Sequence, residues 1–277
     1  MMSKVLVTGA SGYIGRHVVK RLCDLGHIVI AADFKFTELD NRAITCKVPI
    51  FSGDTDIFEQ LGSPDVCIHL AWRDGFIHNS NNHMGDLSNH VTFIRNMIDG
   101  GLKSLAVMGT MHEIGYWEGK IDENTPCNPL SQYGIAKNAL RESVMLIAKE
   151  KNCIFHWLRA YYITGDDLKA ANIFSKISKA AMEGKTEFPF TTGKNKYDFI
   201  DINDLAKMIV TASLQDKING IINVCSGEPM TLAERVEKFI SEHGYNIKLI
   251  YGAFPDRPYD SPGEWGDNTK ISAIMKG

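Results

Sequence analysis

The sequence predicts an α/β fold built on a doubly wound parallel sheet, with a small additional region toward the C-terminus. Three observations predict it: short apolar runs alternate with helix-length stretches, a glycine-rich turn follows the first apolar run, and the regular alternation ends near Thr164. Strands that alternate with helices join through right-handed crossovers, which place parallel strands in one sheet covered by helices on both faces.

The elements follow from hydrophobic spacing, in chain order. Lys4–Val7 is an apolar run that predicts the first strand, and apolar residues at helical spacing predict a helix over Ile14–Leu25. Gly26 follows as the C-cap, since glycine adopts the left-handed conformation that ends many helices. Further apolar runs predict the remaining strands: His27–Ala32, Val66–Leu70, Ser104–Met108, Cys153–Leu158 and Ile221–Val224.

A chain of 277 residues accommodates one large α/β unit with a small appendage. We expect the large domain to comprise residues 1–165, with 197–226 returning to it. The small region then comprises 166–196 and 227–277, whose loops contain much Pro, Gly and Asp.

Composition excludes several classes of protein. The 30 basic and 33 acidic residues give a net charge of −3, which argues against a nucleic-acid partner, and 44% hydrophobic residues exclude intrinsic disorder. No apolar stretch approaches the roughly 20 residues that cross a membrane. The N-terminus leads directly into a predicted strand, which argues against a signal peptide, and the six scattered cysteines include no C-x-x-C pair. These features predict a cytoplasmic protein with reduced thiols and with no membrane or nucleic-acid partner.

Three glycines spaced G-x-x-G-x-x-G lie between the first strand and the first helix. Small residues let such a turn approach a pyrophosphate, whose charge is stabilised by the free N–H groups of the helix N-terminus. The turn therefore predicts a Rossmann-type dinucleotide-binding domain. The cofactor-binding residues expected here are Gly9, Ser11, Gly12, Tyr13, Ile14 and Gly15.

Asp33 follows the second strand, 18 residues after Gly15. A carboxylate at this position accepts hydrogen bonds from the hydroxyls of the adenosine ribose and repels a 2′-phosphate. It therefore favours NAD(H), while Arg16 and Lys35 lie nearby in the sequence and keep NADP(H) as the alternative.

Tyr133 and Lys137 lie four residues apart at the start of a predicted helix, with Ser131 as its N-cap. Residues at this spacing share one helix face, so we expect the ammonium of Lys137 beside the phenol of Tyr133. An adjacent ammonium lowers the pKa of a phenol from about 10 toward neutral pH. The pair predicts proton transfer in alcohol–ketone chemistry, next to a strand that ends in Gly109-Thr110.

These motifs, with others further along the chain, occur in the order that one family shows. They are TGASGYIG at Thr8–Gly15, GD at Gly53–Asp54, HLA at His69–Ala71, YGIAK at Tyr133–Lys137, LRAYYITG at Leu158–Gly165, DFIDINDLA at Asp198–Ala206 and NVCSGEPMTLAE at Asn223–Glu234. Nearly end to end, the chain resembles the extended short-chain dehydrogenases/reductases, and within them the NAD-dependent epimerase/dehydratase family that acts on nucleotide sugars.

The resemblance implies a catalytic acid–base at Tyr133, a pKa modulator and ribose ligand at Lys137, and a hydroxyl at Thr110 that holds the substrate carbonyl. It implies that the small region binds a nucleotide-sugar substrate. Further cofactor contacts are implied at Asp54, Thr55, Leu70, Ala71 and Trp72, and further substrate contacts at Tyr162, Asn172 and Arg257. A homodimer is implied through the helix of Tyr133 and its neighbour around Leu87–Ile98.

The chain departs from the nucleotide-sugar 4,6-dehydratases directly after Thr110. Those enzymes carry Asp-Glu there, whereas this chain carries Met111 and His112, and methionine cannot transfer protons. His112 is either a second proton donor, because imidazole has a suitable pKa, or a side chain that lines the pocket. Tyr162 stands where many relatives have Asn, which leaves its substrate contact open.

Two catalytic functions follow from the resemblance. The first is NADH- or NADPH-dependent reduction, at C4, of a nucleotide-linked 4-keto-6-deoxy sugar, favoured by the missing Asp-Glu and the short chain. The alternative is an NAD-dependent C4 epimerase, which uses the same Thr, Tyr and Lys. A third possibility is a non-catalytic NAD-binding protein of this fold. No metal site is predicted, because His78, His83 and His90 fit no zinc spacing.

Overall fold

The structure is a computed structural model that describes residues 2–165, 172–255 and 261–277. Strands and helices are numbered along the chain. The strands are β1 Lys4–Thr8, β2 Ile28–Ala32, β3 Ile44–Cys46, β4 Val66–His69, β5 Ser104–Thr110, β6 Gly119–Ile121, β7 Ile154–Ala160, β8 Tyr162–Thr164, β9 Glu187–Pro189, β10 Lys196–Asp201, β11 Gly220–Val224, β12 Pro229–Thr231, β13 Lys248–Ile250 and β14 Gly263–Gly266. The helices are α1 Tyr13–Asp24, α2 Ile57–Gln60, α3 Asn82–Gly85, α4 Leu87–Asp99, α5 Gln132–Glu150, α6 Ile173–Met182, α7 Ile202–Ser213, α8 Leu232–Glu242 and α9 Thr269–Lys276.

Seven parallel strands form the large sheet in the order β3-β2-β1-β4-β5-β7-β11. The chain leaves β1 toward β2 on one side and returns to β4 on its other side, which is the doubly wound arrangement. The predicted fold class is therefore confirmed. Each predicted strand matches an observed strand to within two residues at either end.

Helices cover both faces of this sheet. α1, α7 and α9 pack on one face, and α2, α4 and α5 pack on the other. Because successive strand residues point to opposite faces, Leu6 of β1 lies in one core and its neighbour Val7 lies in the other. No helix among the described residues is long and apolar enough to cross a bilayer.

A smaller layer lies beyond the carboxyl ends of β5 and β7. Its sheet runs in the order β12-β10-β14-β6, with β8 paired to β10, and a separate pair is formed by β9 and β13. Helices α6 and α8 close a third core around Phe174, Phe190 and Phe239.

Two segments do not lie in the domain to which the sequence analysis assigned them. β10 opens the range 197–226 that was expected to return to the large domain, yet it pairs within the smaller sheet. The carboxylate of Asp198 holds it there, accepting hydrogen bonds from the N–H groups of Ser226, Gly227 and Gly266 at 2.8–3.1 Å. Conversely, α9 was expected in the small region but packs on the large sheet, because Ile271 and Ile274 are buried in its core. The remaining domain boundaries stay a prediction.

Candidate active site

Predicted site residues follow four neighbouring strands at the carboxyl edge of the large sheet. The glycine turn follows β1, Asp33 follows β2, Ala71 follows β4 and Thr110 ends β5. Since β1 lies between β2 and β4, this edge contains the switch point at which open α/β sheets bind their ligands.

The glycine turn packs too closely against its neighbours for side chains. Gly9 has a φ of +67°, and a Cβ on it would lie 2.8 Å from the backbone of Ala71. A Cβ on Gly15 would clash with the carbonyl oxygen of Gly9. Thr8 fixes the opposing backbone, because its Oγ1 accepts from the Ala71 N–H at 3.3 Å and its carbonyl accepts from the Leu70 N–H at 3.1 Å. Bare backbone thus lines the groove between β1 and β4.

Helix α1 begins at this turn and presents its N-terminus to the same groove. Gly12 is its N-cap and makes no side-chain capping hydrogen bond, and the first turn of the helix contains no acidic residue. The N–H groups of that turn and the helix dipole favour an anion. Tyr13 and Ile14 of the first turn pack against the core below. The arrangement fits the pyrophosphate of a dinucleotide.

Asp33 links the glycine turn to the end of β2. Its Oδ2 accepts a hydrogen bond from the Ser11 N–H at 2.9 Å, and its Oδ1 accepts from the Phe34 N–H at 2.7 Å. The Ser11 hydroxyl donates to the carbonyl of Lys35. Ser11 therefore holds the turn in shape, and the carboxylate remains at the position expected for a ribose ligand.

The carboxylate of Asp33 disfavours a 2′-phosphate, and one of the two nearby cations is paired. Arg16, which was expected to soften the preference for NAD(H), lies 3.4 Å from the carboxylate of Glu38. Its charge is therefore partly neutralised, while Asp33 contributes a negative charge at the ribose position. The residues fit NAD better than NADP.

Substituting Gly15 by alanine tests this groove. We expect Gly15→Ala to weaken NAD binding by at least about tenfold, since overpacking of this kind costs about 1–3 kcal/mol and here distorts the binding turn itself. Calorimetric titration with NAD measures the effect. Gly85→Ala is the matched control, because a Cβ on Gly85 meets no atom within 4 Å; equal NAD affinity in both variants would contradict the prediction.

The loop expected to contact the adenine is held by α4. Asn96 donates from Nδ2 to the carbonyl oxygens of Gly53 and Asp54, at 3.2 and 2.9 Å. The side chains of Asp54 and Thr55 are exposed beside it. Their contacts with a cofactor stay a prediction.

Tyr133 and Thr110 are brought together by the start of α5 and the end of β5. Ser131 caps α5 as predicted, its hydroxyl accepting from the Gly134 N–H at 3.1 Å. The side chain of Thr110 lies close enough to the phenol of Tyr133 to lower the pKa of that phenol. Two hydroxyl groups from different elements therefore converge, as binding and protonating one carbonyl oxygen requires.

Lys137 lies one turn further along α5 and is only 3% exposed. Its Nζ donates to the carbonyl of Met108 at 2.8 Å and lies 3.9 Å from the centre of the Trp72 ring. The predicted Thr, Tyr and Lys thus share one buried site below the sheet edge.

The pKa values of this pair depart from expectation. Burial raises the pKa of Tyr133 to about 12, opposed by the hydrogen bond from Thr110. Burial lowers the pKa of Lys137 to about 7, opposed by the charge of Glu113. The expected lowering of the pKa of Tyr133 by Lys137 is therefore wrong for this structure, because desolvation of the phenolate dominates and Thr110, not Lys137, opposes it.

His112 faces the same phenol, with ring centres 5.9 Å apart, and its ring lies 4.5 Å from that of His78. Burial, together with His78, lowers the pKa of His112 to about 4. The expectation that His112 has a pKa suited to donating a proton near neutral pH is therefore wrong. A neutral imidazole still offers one N–H to a substrate.

Two of the three predicted substrate residues lie in the smaller layer. Tyr162 in β8 packs on Tyr197, with ring centres 4.2 Å apart. Asn172 caps α6 through Oδ1, which accepts from the Ser175 N–H at 2.9 Å. Arg257 lies outside the described residues. The sugar contacts of these three residues stay a prediction.

Sequence reasoning missed a buried charged cluster below Thr110. The carboxylate of Glu113 accepts hydrogen bonds from the Thr110 N–H at 2.7 Å and from the Trp157 indole at 2.9 Å. Arg159 and Arg141 approach the same carboxylate at 3.4 and 3.7 Å. The spacing Thr-x-x-Glu, a capping box, was the signal that could have indicated Glu113.

The histidines that follow β4 along the chain pack against aromatic rings. His83 and His90 are buried and lie against Trp72, whereas His78 is exposed. Within the described ranges, no three His, Cys, Asp or Glu side chains are grouped as metal ligands.

Comparison with curated proteins gives two informative relatives. The chain is 44% identical over 271 residues to dTDP-6-deoxy-L-talose 4-dehydrogenase (NAD(+)) of Aggregatibacter actinomycetemcomitans, covering 95% of this chain and 98% of that protein. It is 27% identical over 261 residues to a putative UDP-glucose 4-epimerase of Methanocaldococcus jannaschii, covering 89% of this chain and 85% of that one.

The fold is shared with solved structures over nearly the whole chain. A UDP-glucose 4-epimerase of Thermotoga maritima, solved with UDP-glucose, superposes with a TM-score of 0.83 at 24% identity, covering 98% of this chain and 91% of that one. A sequence model of the NAD dependent epimerase/dehydratase family matches residues 5–225. The resemblance in the motifs is thereby confirmed, as are the enzymatic class and the cofactor NAD: the chain belongs to the NAD-dependent epimerase/dehydratase family.

Proposed function

We propose that this enzyme is an NAD(H)-dependent 4-ketoreductase of a dTDP-linked 6-deoxy sugar. Its reverse reaction is the oxidation for which the relative in Aggregatibacter actinomycetemcomitans, 44% identical, is named. Oxidation of 6-deoxy-L-talose at C4 gives a 4-keto-6-deoxy sugar, so one site serves both directions.

The observation that carries the proposal is the hydroxyl pair of Thr110 and Tyr133 beside Lys137. A pKa of about 12 keeps Tyr133 protonated at neutral pH, which is the form that ketone reduction consumes. Met111 stands where dehydration needs an acid, so the site lacks the groups that would remove water from the sugar.

Thr110, Tyr133 and Lys137 have separate roles in the reduction. Thr110 donates to the C4 carbonyl oxygen and orients it, and Tyr133 gives its proton to that oxygen as it becomes an alkoxide. The ammonium of Lys137 stabilises the phenolate that remains. NAD, when bound along Gly9–Gly15 and Asp33, supplies the hydride chemistry.

A C4 epimerase is the second candidate, supported by the relative in Methanocaldococcus jannaschii. An epimerase oxidises and then reduces the same carbon, so Tyr133 must first accept a proton. The raised pKa of Tyr133 disfavours that first oxidation, in an epimerase as in a dehydrogenase. The two functions differ in net cofactor consumption.

One assay separates them. The purified protein is incubated with a dTDP-4-keto-6-deoxyhexose, and the absorbance of NADH and of NADPH is followed in parallel, with Tyr133→Phe as control. We expect stoichiometric loss of NADH, slower loss of NADPH because of Asp33, and no loss in the variant. Conversion of a dTDP-6-deoxyhexose to its C4 epimer without net cofactor loss would instead establish the epimerase.

The pH profile of this reduction follows from Lys137. Its ammonium form dominates below its pKa of about 7 in the free protein and is lost above it. We therefore expect kcat/KM to fall as the pH rises through about 7, since this ratio reports the free enzyme. The Lys137→Met variant should show a low, flat profile over the same range; a wild-type profile that stays level to pH 9 contradicts the assignment.

We also propose a homodimer through α4 and α5. Ile94 and Ile98 of α4 are buried in the core, so their helical spacing reflects packing within one chain. On α5, however, Ile135 and Leu146 are 38% and 71% exposed and lie eleven residues apart on one helix face. These apolar side chains support the dimer surface that the family resemblance implies.

A further inference from the structure

Trp72 lies three residues after β4, and its side chain makes contacts beyond the cofactor contact expected of it. The Nζ of Lys137 lies 3.9 Å from the centre of the Trp72 ring. The ring of His90 is stacked on the same indole, with centres 4.5 Å apart and planes 21° from parallel. The indole N–H donates to Nδ1 of His83 at 3.1 Å.

Three buried histidines hold this indole in place. His83 is 1% exposed and its Nε2 lies 3.0 Å from the carbonyl of Ile77. His90 is joined through Nδ1 to Nε2 of His69 at 2.9 Å, and His69 is joined to the hydroxyl of Thr8 at 2.8 Å. Burial and the charge of Lys137 lower the pKa of both His69 and His90, so both rings are neutral. The indole is therefore fixed between β4, α3 and α4.

We propose that Trp72 is a positioning residue for Lys137, whose ammonium it holds by a cation–π contact and keeps in its charged form. The inference rests on the proposed function in that Lys137 serves Tyr133 there. It assigns to the Trp72 side chain a role toward the catalytic helix rather than toward the cofactor alone.

The electrostatic surroundings of Lys137 explain why such a contact matters. The titratable groups near it are Tyr133 on its own helix, His69 from β4, His90 from α4, His83 across the indole from α3, and Glu113 below Thr110. Glu113 is the one carboxylate in this set, and it also faces Arg159 and Arg141. The Met108 carbonyl and the indole face are thus the direct contacts that replace the water lost by the ammonium.

The matched variants Trp72→Phe and Trp72→Leu distinguish the effect of an aromatic π face on Lys137 from the effect of apolar volume alone. Phenylalanine keeps a weaker ring quadrupole, whereas leucine fills the space without one. We expect Trp72→Leu to lower kcat about tenfold and to move the pKa of Lys137 down by about one unit, with Trp72→Phe between it and the wild type. KM for the nucleotide sugar should stay within about twofold, because the indole acts through Lys137.

Two measurements decide the outcome. The pH profile of kcat/KM gives the first, and a pH titration of the Lys137 Cε resonance by NMR, assigned with Lys137→Met, gives the second without any substrate. The order wild type, Phe, Leu in the pKa of Lys137 supports the proposal. Equal pKa values in the Phe and Leu variants, or a change confined to KM, would overturn it.

The proposal can still be tested if Trp72→Leu does not fold or if the proposed function is wrong. If Trp72→Leu does not fold, Trp72→Phe alone must still lower the pKa of Lys137, and no shift overturns the proposal. If the wild type reduces no keto sugar but the NMR order is as expected, the proposed function fails while the contact between Trp72 and Lys137 stands.

Discussion

Replacing Tyr133 by Phe is expected to lower kcat for the keto sugar by about 10²–10⁴-fold, the usual contribution of a positioned general acid. The phenol is the hydroxyl that reaches both Thr110 and the proposed carbonyl oxygen, and its raised pKa keeps the proton on it until it is needed. Phenylalanine preserves the ring, which packs among His78, His83 and Trp72 at centre distances of 5.3–6.1 Å. The loss should therefore come from proton transfer and not from collapse of the site.

Steady-state and single-turnover kinetics measure this effect, and NAD titration provides its control. We expect the NAD affinity and the melting temperature of Tyr133→Phe to stay near those of the wild type. Thr110→Val is the companion variant, because it removes the second hydroxyl while keeping the β-branched shape. A Tyr133→Phe enzyme with kcat within about threefold of the wild type would remove Tyr133 from the catalytic role.

The sequence was most informative where one residue pattern permits one backbone geometry. The turn at Gly9 and Gly15 is such a case, since a Cβ at either position would meet the backbone of a neighbouring segment. The strand ends that carry Asp33 and Thr110 could also be predicted. Apolar runs between predicted helices indicate where each parallel strand ends, and these ends form one edge of the sheet. The cap at Ser131 and the placement of Tyr133 and Lys137 on α5 followed from helix spacing.

Properties that depend on burial could not be read in this way. The pKa of Tyr133 was expected to fall and instead rises, because the cost of burying a phenolate exceeds the opposing effect of Thr110. The pKa of His112 falls to about 4 for the same reason. Tertiary packing also decided the position of α9, since two isoleucines in a short amphipathic helix do not indicate which sheet they cover.

The buried cluster around Glu113 provides the largest stability prediction. Replacing Glu113 by Ala leaves Arg159, which is fully buried, without its carboxylate, and leaves the indole N–H of Trp157 and the N–H of Thr110 without their acceptor. Breaking a buried ion pair from one side costs about 3–5 kcal/mol, because an uncompensated charge stays buried. For a chain of this size that corresponds to a fall in melting temperature of about 10 °C.

Glu142 provides a matched control, because it pairs with Arg141, which also approaches Glu113. Its carboxylate pairs with Arg141 at 2.5 Å, yet its side chain is 62% exposed. Glu142→Ala should therefore cost less than about 1 kcal/mol, as exposed ion pairs do. Denaturant unfolding of the two variants beside the wild type measures the difference.

Glu113→Gln connects this stability effect to catalysis. The amide keeps one acceptor for the Thr110 N–H but removes the negative charge that raises the pKa of both Tyr133 and Lys137. We expect it to destabilise the fold less than Glu113→Ala and to move the fall of kcat/KM with pH to a lower pH. If Glu113→Ala and Glu142→Ala unfold at the same denaturant concentration, the cluster contributes no more than a surface pair. Thr110 would then owe its position to β5 alone.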